Sequence, residues 1–419
     1  MRNVTALKCI SCSASYGSVP PAYICPACGG VLDIEYDYGA VSAGAFLDGL
    51  ARPAPAHMWR YSALLPVDVG GPLPRLSVGG TPLYRRTPLG EELGLCEVMV
   101  KDDGLNPTGS LKDRASAVAV AAALQQGAKT VSCASTGNAA SSCAGCAASV
   151  GMRSVIFVPR RAPQAKLVQL AVFGAVVVRV LGDYEQAFSL SAEAISVYGW
   201  YNRNAAINPV MVEGKKTVAF EIAEQMGWEV PDWVAVSVGD GCTVAGVGKG
   251  FWELQRVGVT ARQPKLLGVQ ARGANAISRA FREGGEARGG ADTFADSIAV
   301  AVPRNPRKAI EAVRRSGGAM VEVSDDEIGR AMLRLGRSCA LFAEPAAAAA
   351  LAGLVAAVEQ GIVAPHETAC VVVTGNGLKD VAGAERVAGG PIDVPPELAE
   401  LERRLAEAAP EVMSCTTLR

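Results

Sequence analysis

Along most of the chain, short runs of β-branched apolar residues alternate with longer stretches rich in alanine and leucine. The runs predict strands at residues 98–100, 130–133, 154–158, 175–180, 233–238, 266–269, 320–323 and 369–373. Strands that are apolar throughout are buried on both faces, and their alternation with helical stretches is typical of a parallel sheet in an α/β fold. Ligands bind such sheets at the carboxyl ends of the strands, where helices begin. The chemistry is therefore expected in the loops at those strand ends.

The chain divides into regions of different composition. Residues 1–40 are punctuated by cysteine and glycine and predict a small separate unit, whereas residues 41–97 are rich in proline and glycine and predict an arm laid over a core. Because 419 residues are too many for one compact core, we expect two α/β domains. The smaller domain comprises residues 98–208, and the larger comprises the arm with residues 209–390. The tail, residues 391–419, places leucines at helical spacing and predicts a short docking helix.

Composition and charge narrow the class of protein. Half of the residues are hydrophobic and 19% are charged, which favours a large buried core. A net charge of −1 argues against binding nucleic acid or an anionic membrane, and no apolar run reaches the length of a bilayer span. The first ten residues lack the apolar block of a signal peptide. We therefore expect a cytoplasmic protein that acts on a small molecule. Because the chain has only two histidines, we do not expect a histidine general base or a site with several histidine ligands.

The most distinctive loop reads Asn-Pro-Thr-Gly-Ser-Leu-Lys-Asp-Arg over residues 106–114. Its turn leads into a predicted helix and puts Lys112 in the first helical turn. The helix dipole favours anions at that end, so the local positive field should lower the pKa of the Lys112 ammonium. Such a lysine is ready to form a Schiff base. The ordinary alternative is a solvated lysine at a helix start.

Three further strand ends carry loops suited to anions. Ser135, Thr136, Gly137 and Asn138 open a predicted helix, where hydroxyls and free N–H groups hold an anion, although simple helix capping explains them as well. A second loop, able to fold around a phosphate, consists of Gly239, Asp240, Gly241, Cys242 and Thr243. Thr374 begins a Thr-Gly-Asn-Gly turn. One cofactor explains all four loops, because pyridoxal phosphate needs a lysine, a phosphate cradle, a partner for its ring nitrogen and a nearby carboxylate site.

In this order the loops resemble the tryptophan-synthase-β group of pyridoxal-phosphate enzymes, and within it the threonine synthases. Further matching motifs are Gly79-Gly-Thr-Pro82, Glu213-Gly-Lys-Lys-Thr217 and Glu344-Pro-Ala346. The resemblance runs from residue 1 to about residue 385. It implies an α/β fold of two doubly wound parallel-sheet domains of the tryptophan synthase β type, and a homodimer.

The resemblance also implies a role for each matching position. Lys112 would carry the cofactor and shuttle protons, Asn138 would bond the ring hydroxyl, and Thr374 would face the ring nitrogen. The cofactor phosphate would be held by Gly239, Asp240, Gly241, Cys242 and Thr243. The substrate carboxylate would be received by Ser135, Thr136 and Gly137.

Some positions depart from the family's pattern. Leu111 stands where the family usually has phenylalanine, Ala139 where threonine is usual, and Met211 where an arginine for the substrate phosphate is expected. The glycine loop reads Gly-Asp-Gly-Cys-Thr and not the usual Gly-Asn form. An enzyme acting on a phosphorylated substrate therefore needs another cation. The candidates are Arg114, Lys215 and Lys216, and we favour Lys215 or Lys216 because they are close in sequence to Met211.

The implied reaction converts O-phosphohomoserine and water to threonine and phosphate by γ-elimination and β-addition. The alternative is β-elimination or replacement on serine, O-phosphoserine or a similar amino acid, as in cysteate-synthase-like relatives. A catalytically degenerate relative whose N-terminal unit mediates protein contacts also stays open, although intact Lys112, Asn138 and Thr374 argue against it.

Four of the twelve cysteines form two paired knuckles, Cys9-x-x-Cys12 and Cys25-x-x-Cys28. Four thiolates give tetrahedral zinc its preferred ligands and leave no open position for catalysis. The spacing thus predicts a zinc-ribbon-like unit with one structural zinc. The alternatives are a ribbon that has lost its metal and a redox dithiol. Most of the other cysteines have apolar surroundings typical of small buried hydrophobes.

Overall fold

The computed structural model describes residues 3–17, 23–51, 57–162, 164–204 and 207–413. Their strands are β1 (Val4–Cys9), β2 (Ser15–Tyr16), β3 (Leu32–Tyr36), β4 (Leu83–Tyr84), β5 (Glu97–Asp102), β6 (Thr130–Ala134), β7 (Arg153–Pro159), β8 (Val176–Val180), β9 (Tyr201–Asn202), β10 (Trp233–Ser237), β11 (Lys265–Ala271), β12 (Ala319–Val323) and β13 (Thr368–Val373). All eight strands predicted from the apolar runs are present, as β5 to β8 and β10 to β13.

The helices of the described residues lie mostly between these strands. They are α1 (Ala43–Ala51), α2 (Leu89–Leu93), α3 (Lys112–Gln125), α4 (Asn138–Ala148), α5 (Gln164–Val172), α6 (Tyr184–Tyr198), α7 (Val210–Lys215), α8 (Thr217–Gln225), α9 (Cys242–Arg256), α10 (Ala276–Glu283), α11 (Pro306–Arg315), α12 (Asp325–Cys339), α13 (Pro345–Glu359), α14 (Val381–Ala388) and α15 (Leu398–Ala408). In the described parts of the chain, no helix combines the length and apolarity needed to cross a membrane.

The larger sheet has the strand order β12-β11-β10-β13-β5-β4, and every pair in it is parallel except β4 with β5. Helices α12 and α13 cover one face, whereas α8, α9 and α11 cover the other. In β5, Val98 and Val100 face the first helix layer while Met99 faces the second. Burial on both faces explains why these strands are apolar without interruption.

The predicted domain division is wrong at β5. It assigned residues from 98 onward to the smaller domain, but β5 pairs in parallel with β13 from Glu97 to Asp102 and so belongs to the larger sheet. The apolar pattern reveals that a strand is buried on both faces, but it does not reveal which sheet the strand joins. That choice depends on a partner strand near the other end of the chain.

The smaller sheet has the order β8-β7-β6-β9, with all pairs parallel. Helices α3, α4 and α5 pack on one face and α6 on the other. The predicted α/β fold with two doubly wound parallel sheets is thus confirmed, apart from the antiparallel edge strand β4.

The N-terminal unit is a three-stranded antiparallel sheet of order β2-β1-β3 that is anchored to both domains. The buried face of β3 joins the same apolar core as α3. Polar side chains of β3 contact the larger domain. The Asp33 carboxylate accepts from Lys249 at 3.2 Å and from Lys308 at 2.6 Å. The Tyr36 hydroxyl donates to Glu213 on α7 at 2.6 Å. This unit is therefore fixed against the helix that leads into the candidate site.

The C-terminal segment forms a helix, as predicted, but that helix does not dock on this chain. No residue of α15 is buried, and Leu398 is 71% exposed. The leucine spacing correctly indicated a helix but could not indicate what would cover its apolar face.

Candidate active site

Two loops from different domains are joined beside Lys112. The amide of Leu111 donates to the carbonyl of Thr374 at 2.9 Å, and the amide of Asn376 donates to the carbonyl of Gly109 at 3.0 Å. These backbone bonds hold the start of α3 against the carboxyl end of β13. Lys112 and Thr374, which are far apart in sequence, therefore lie in one site.

Lys112 is the first residue of α3, as predicted, and its side chain is partly buried. Burial is the main cause that lowers the pKa of its ammonium, and nearby Arg203 lowers the pKa further, while Glu344, Cys242 and Asp240 oppose the shift. The predicted direction is right, but burial outweighs the positive field that we invoked. A lowered pKa makes the neutral amine available for covalent chemistry.

Asn138, the first residue of α4, is held by a carboxylate that the sequence analysis did not assign to the site. Its amide nitrogen donates to the two carboxylate oxygens of Glu344 at 2.9 and 3.0 Å. Burial raises the pKa of Glu344, against the effects of Asn138 and Lys112. A Cβ on Gly375 would lie 2.5 Å from Glu344 Oε1, so a larger residue there would displace this carboxylate. The signal was a Glu-Pro pair at the start of α13.

The glycine loop lies between β10 and α9. Gly241 has φ +90°, and a Cβ there would lie 2.7 Å from the carbonyl oxygen of Asn305, so the position requires glycine. The Asp240 carboxylate accepts from the backbone amide of Arg304 at 3.2 Å. Cys242 opens α9, so this loop presents the amino end of a long helix, which suits a phosphate. Because Cys242 and Asp240 also influence Lys112, the loop lies close to that amine.

The loop of Ser135, Thr136 and Gly137 connects β6 to α4 and remains partly exposed. The amide of Gly137 donates to the Ser135 hydroxyl at 3.3 Å. The loop therefore precedes Asn138 directly and is open to a ligand at the amino end of α4. This placement fits an anion such as a carboxylate.

Lys215 is a second cation of the site. Its side chain is 1% exposed, and burial lowers its pKa to about 8. Cys242 and Asp240 raise this pKa, whereas Lys112 and Arg203 lower it, so the ammonium lies among the same groups that surround Lys112. In the described part of the chain, Lys215 makes no ion pair.

Arg203 is a third cation, and sequence reasoning missed it. The guanidinium is buried and donates to the Ser116 hydroxyl at 2.9 Å and the Ser142 hydroxyl at 3.2 Å. Its charge lowers the pKa of both Lys112 and Lys215. No carboxylate of the described residues pairs with it. Three neighbouring cations without a paired carboxylate form a site suited to anions.

Lys216 is not in this site, which corrects one of the two alternatives for the replacement cation. It is fully buried between Glu213, at 2.5 Å, and Glu253, at 2.8 Å. Neighbouring residues on a helix point about 100° apart, so Lys215 and Lys216 reach different surroundings. Met211, at the expected arginine position, is packed in the apolar core with α3.

The four cysteines of the paired knuckles come together at one end of the N-terminal sheet. Their sulfur atoms all lie within 4.8 Å of one another, and the Cys9–Cys28 and Cys12–Cys25 sulfurs are 3.5 and 3.6 Å apart. A tetrahedral zinc with Zn–S bonds of about 2.3 Å needs sulfur separations of about 3.8 Å. The arrangement is therefore compatible with one zinc ion.

Comparisons with known proteins agree with this geometry. A family profile described as pyridoxal-phosphate dependent enzyme matches residues 74–375. The chain is 38% identical over 404 residues to a threonine synthase of Methanocaldococcus jannaschii, covering 96% of this chain and 99% of that protein. It is also 38% identical over 378 residues to a threonine synthase of Methanosarcina acetivorans, covering 89% of this chain and 92% of that protein.

Among solved structures, a fungal L-serine ammonia-lyase from Rhizomucor miehei is similar with a TM-score of 0.64 and 20% identity, covering 74% of this chain and 97% of that chain. At this identity the likeness concerns the fold alone.

Proposed function

The chain belongs to the threonine synthases within the pyridoxal-phosphate-dependent enzymes, and from this premise we propose that it converts O-phosphohomoserine and water to threonine and phosphate. One observation carries the proposal. Lys215 and Arg203 are buried beside Lys112, and neither forms an ion pair with a carboxylate of the described residues. A reaction on a phosphorylated substrate needs a cation that is not already held in an ion pair, and Lys215 is such a group.

The residues present fit pyridoxal phosphate. The Lys112 amine would hold its aldehyde, and the loop from Gly239 to Thr243 would hold its phosphate where Gly241 lets the backbone fold tightly. Asn138 would bond the ring hydroxyl, and Thr374 would offer a neutral hydroxyl to the ring nitrogen. When bound, this cofactor supplies an electron sink for negative charge that develops next to the amino-acid Cα.

The chain's own residues would orient the substrate and move its protons. Ser135, Thr136 and Gly137 would receive the α-carboxylate at the amino end of α4, which favours an anion. The Lys112 amine would take the proton from Cα, because burial lowers its pKa and keeps neutral amine available. Lys215 would bind the substrate phosphate and stabilise the leaving dianion. Glu344, which holds the Asn138 amide, would keep that amide in place.

A second candidate function rests on Met211 and Ala139. Met211 is packed in the apolar core, and an alanine replaces the usual threonine in the first turn of α4. Both changes remove polar groups from the expected leaving-group side. They favour β-elimination or replacement on a less charged amino acid, such as serine, as the alternative reaction.

We further propose that the four knuckle cysteines bind one structural zinc and that the enzyme is a cytoplasmic homodimer. The sulfur separations support the zinc. The exposed leucines of α15 support association with a second copy. Metal analysis and sedimentation measure the two properties directly.

A substrate panel on the purified holoenzyme tests the proposal. O-phosphohomoserine, O-phosphoserine and serine are compared by phosphate release and by amino-acid product, with Lys112→Ala as the inactive control. We expect O-phosphohomoserine to yield equal amounts of phosphate and threonine. Its kcat/KM should exceed that of serine by at least about tenfold, the contribution of one charge-assisted bond, and should also exceed that of O-phosphoserine, whose side chain is one carbon shorter. Equal or faster turnover of serine or O-phosphoserine would favour the second candidate instead.

A further inference from the structure

A cavity of about 570 Å³ lies outside the candidate active site, between the N-terminal unit and the larger domain. Strands β1 and β3 form one side, and helices α9 and α11 form the other. Its volume lies within the range of sites that hold small molecules. None of the residues that line it belongs to the four cofactor loops.

The lining carries an excess of positive charge. Its cationic side chains are Lys8, Lys249, Arg256, Lys308 and Arg315, and its carboxylates are Asp33, Glu35 and Glu311. Asp33 is shared by Lys249 and Lys308 at the floor, and Glu35 pairs with Lys8 at 3.4 Å. The lining therefore holds two more cations than carboxylates, and one of these cations, Lys249, is also paired with Glu213 behind the lining.

Within the part of the chain that the structure describes, two guanidinium groups of the lining have no ion-pair partner, and Glu311, one helical turn before Arg315, is the opposite charge that acts most strongly on Arg315. Among the described residues, neither Arg256 nor Arg315 makes an ion pair or a side-chain hydrogen bond. Arg315 lies over the indole of Trp252, 4.9 Å from its centroid, and its exposed guanidinium is open to an anion in the cavity. Trp252 in turn packs edge-on against Tyr38, with ring centroids 5.2 Å apart. Guanidinium groups bind carboxylates and phosphates in a bidentate manner, and the aromatic wall suits a compact organic body.

We propose that this cavity is a binding site for a small organic anion bearing at least two carboxylate or phosphate groups, and that its occupancy adjusts the substrate side of the active site. Direct contacts connect the cavity to the helix that carries Lys215. Val212 on α7 lines the cavity, and Lys249 at its floor donates to Glu213 on α7 at 2.7 Å. Helix α7 ends at Lys215, the proposed ligand of the substrate phosphate. A ligand that draws Lys249 toward the cavity would therefore act on the helix that positions Lys215.

The experiment titrates the holoenzyme with succinate and with 2-phosphoglycolate at constant ionic strength, followed by calorimetry and tryptophan fluorescence. The double variant Arg256→Ala/Arg315→Ala removes the unpaired guanidinium groups, which lie at the surface and leave the core intact. Arg314→Ala is the matched control, because Arg314 is on the same helix, lies over Phe281 and does not line the cavity.

We expect saturable binding of at least one probe, a dissociation constant at least about tenfold higher in the double variant, and no change in the control. Trp252→Phe should remove the fluorescence change while calorimetric binding persists. Absence of saturable binding, or equal binding in all three proteins, would overturn the site.

The effect on the active site is measured separately and rests on the proposed function. The probe that binds should change KM for O-phosphohomoserine in the wild type and in Arg314→Ala but not in the double variant. Binding without any change in KM would overturn the coupling. Loss of turnover in every protein without a probe would instead count against the proposed function, since the binding measurement does not depend on turnover.

Discussion

Replacement of Lys215 tests whether this lysine binds the substrate phosphate or the cofactor phosphate. Lys215→Met keeps the length and much of the volume of the side chain but removes its charge. The side chain is 1% exposed and makes no ion pair within the described residues, so no carboxylate loses its partner in the variant. Any effect should therefore appear when an anionic ligand binds.

The magnitude follows from the bond that is lost. A charge-assisted hydrogen bond in a buried site contributes about 1.5–3 kcal/mol, which corresponds to a factor of about ten to somewhat over one hundred in affinity. We expect KM for O-phosphohomoserine to rise by that factor while cofactor affinity stays within about twofold of the wild type. Lys215→Arg, which retains the charge, should recover part of the loss.

The affinity for the substrate should also change with pH as Lys215 loses its proton. Burial lowers the pKa of Lys215 to about 8, so the ammonium is charged below that pH and loses its proton above it. A bound phosphate raises this pKa, because it favours the charged form. Affinity for the phosphorylated substrate should thus be full below about pH 8 and fall at higher pH in the wild type. The profile of Lys215→Met should lack this limb.

The assay is phosphate release against substrate concentration over a range of pH, with cofactor dissociation followed by visible absorbance. Lys265→Met, which removes an exposed ion pair on the larger sheet, controls for the loss of a lysine elsewhere. The reasoning is refuted if KM is unchanged, or if the variant releases the cofactor while its KM stays normal. The second result would assign Lys215 to the cofactor phosphate.

Three other predictions concern the cofactor lysine, the metal and the contact between the N-terminal unit and α7. Borohydride should fix the cofactor on the peptide that contains Lys112, and Lys112→Ala should lose both the visible absorbance and turnover; fixation on another lysine would contradict the assignment. Metal analysis of protein purified without chelators should give one zinc per chain, and its removal should speed hydrogen exchange in residues 3–40 while the visible absorbance persists; protein free of zinc but fully ordered there would count against the site. Tyr36→Phe, which removes the 2.6 Å bond to Glu213, should lower the free energy of unfolding by about 1.5–3 kcal/mol in denaturant titrations. Tyr38→Phe removes a longer, partly buried bond of 3.0 Å to Glu253, so it should lower the free energy of unfolding by less than Tyr36→Phe does. Equal losses for the two variants would contradict the prediction that the Tyr36 bond is the stronger one.

Much of the fold could be predicted because the apolar runs are long and uninterrupted. Burial on both faces of a parallel strand leaves this pattern wherever the strand lies, so β5 and β13 were as visible as the strands of the smaller sheet. The pairing of β5 with β13 was not visible, because it joins residues near opposite ends of the larger domain. The exposed face of α15 was missed for a similar reason, since a pattern of leucines does not say what covers them.

In the candidate site, the loops could be predicted and their neighbours could not. The Lys112 loop and the glycine loop have local sequence requirements, such as the positive φ of Gly241. Glu344 and Arg203 enter the site from other parts of the chain. The Glu-Pro pair marked Glu344 as a family motif but not as the partner of Asn138. Nothing near Arg203 in sequence marks it as a neighbour of Lys112. The choice between Lys215 and Lys216 likewise depends on a carboxylate of α9 that captures Lys216.

The fate of the oxygen atom from water tests most directly whether the enzyme eliminates phosphate and then adds water to form threonine. The holoenzyme is incubated with O-phosphohomoserine in water labelled with a heavy oxygen isotope, and the products are analysed by mass spectrometry. Elimination breaks the bond between carbon and the phosphate oxygen, and water then adds at Cβ. Threonine should therefore carry one labelled oxygen in its hydroxyl group, and the released phosphate should carry none. Labelled phosphate together with homoserine, or products without threonine, would contradict this reaction.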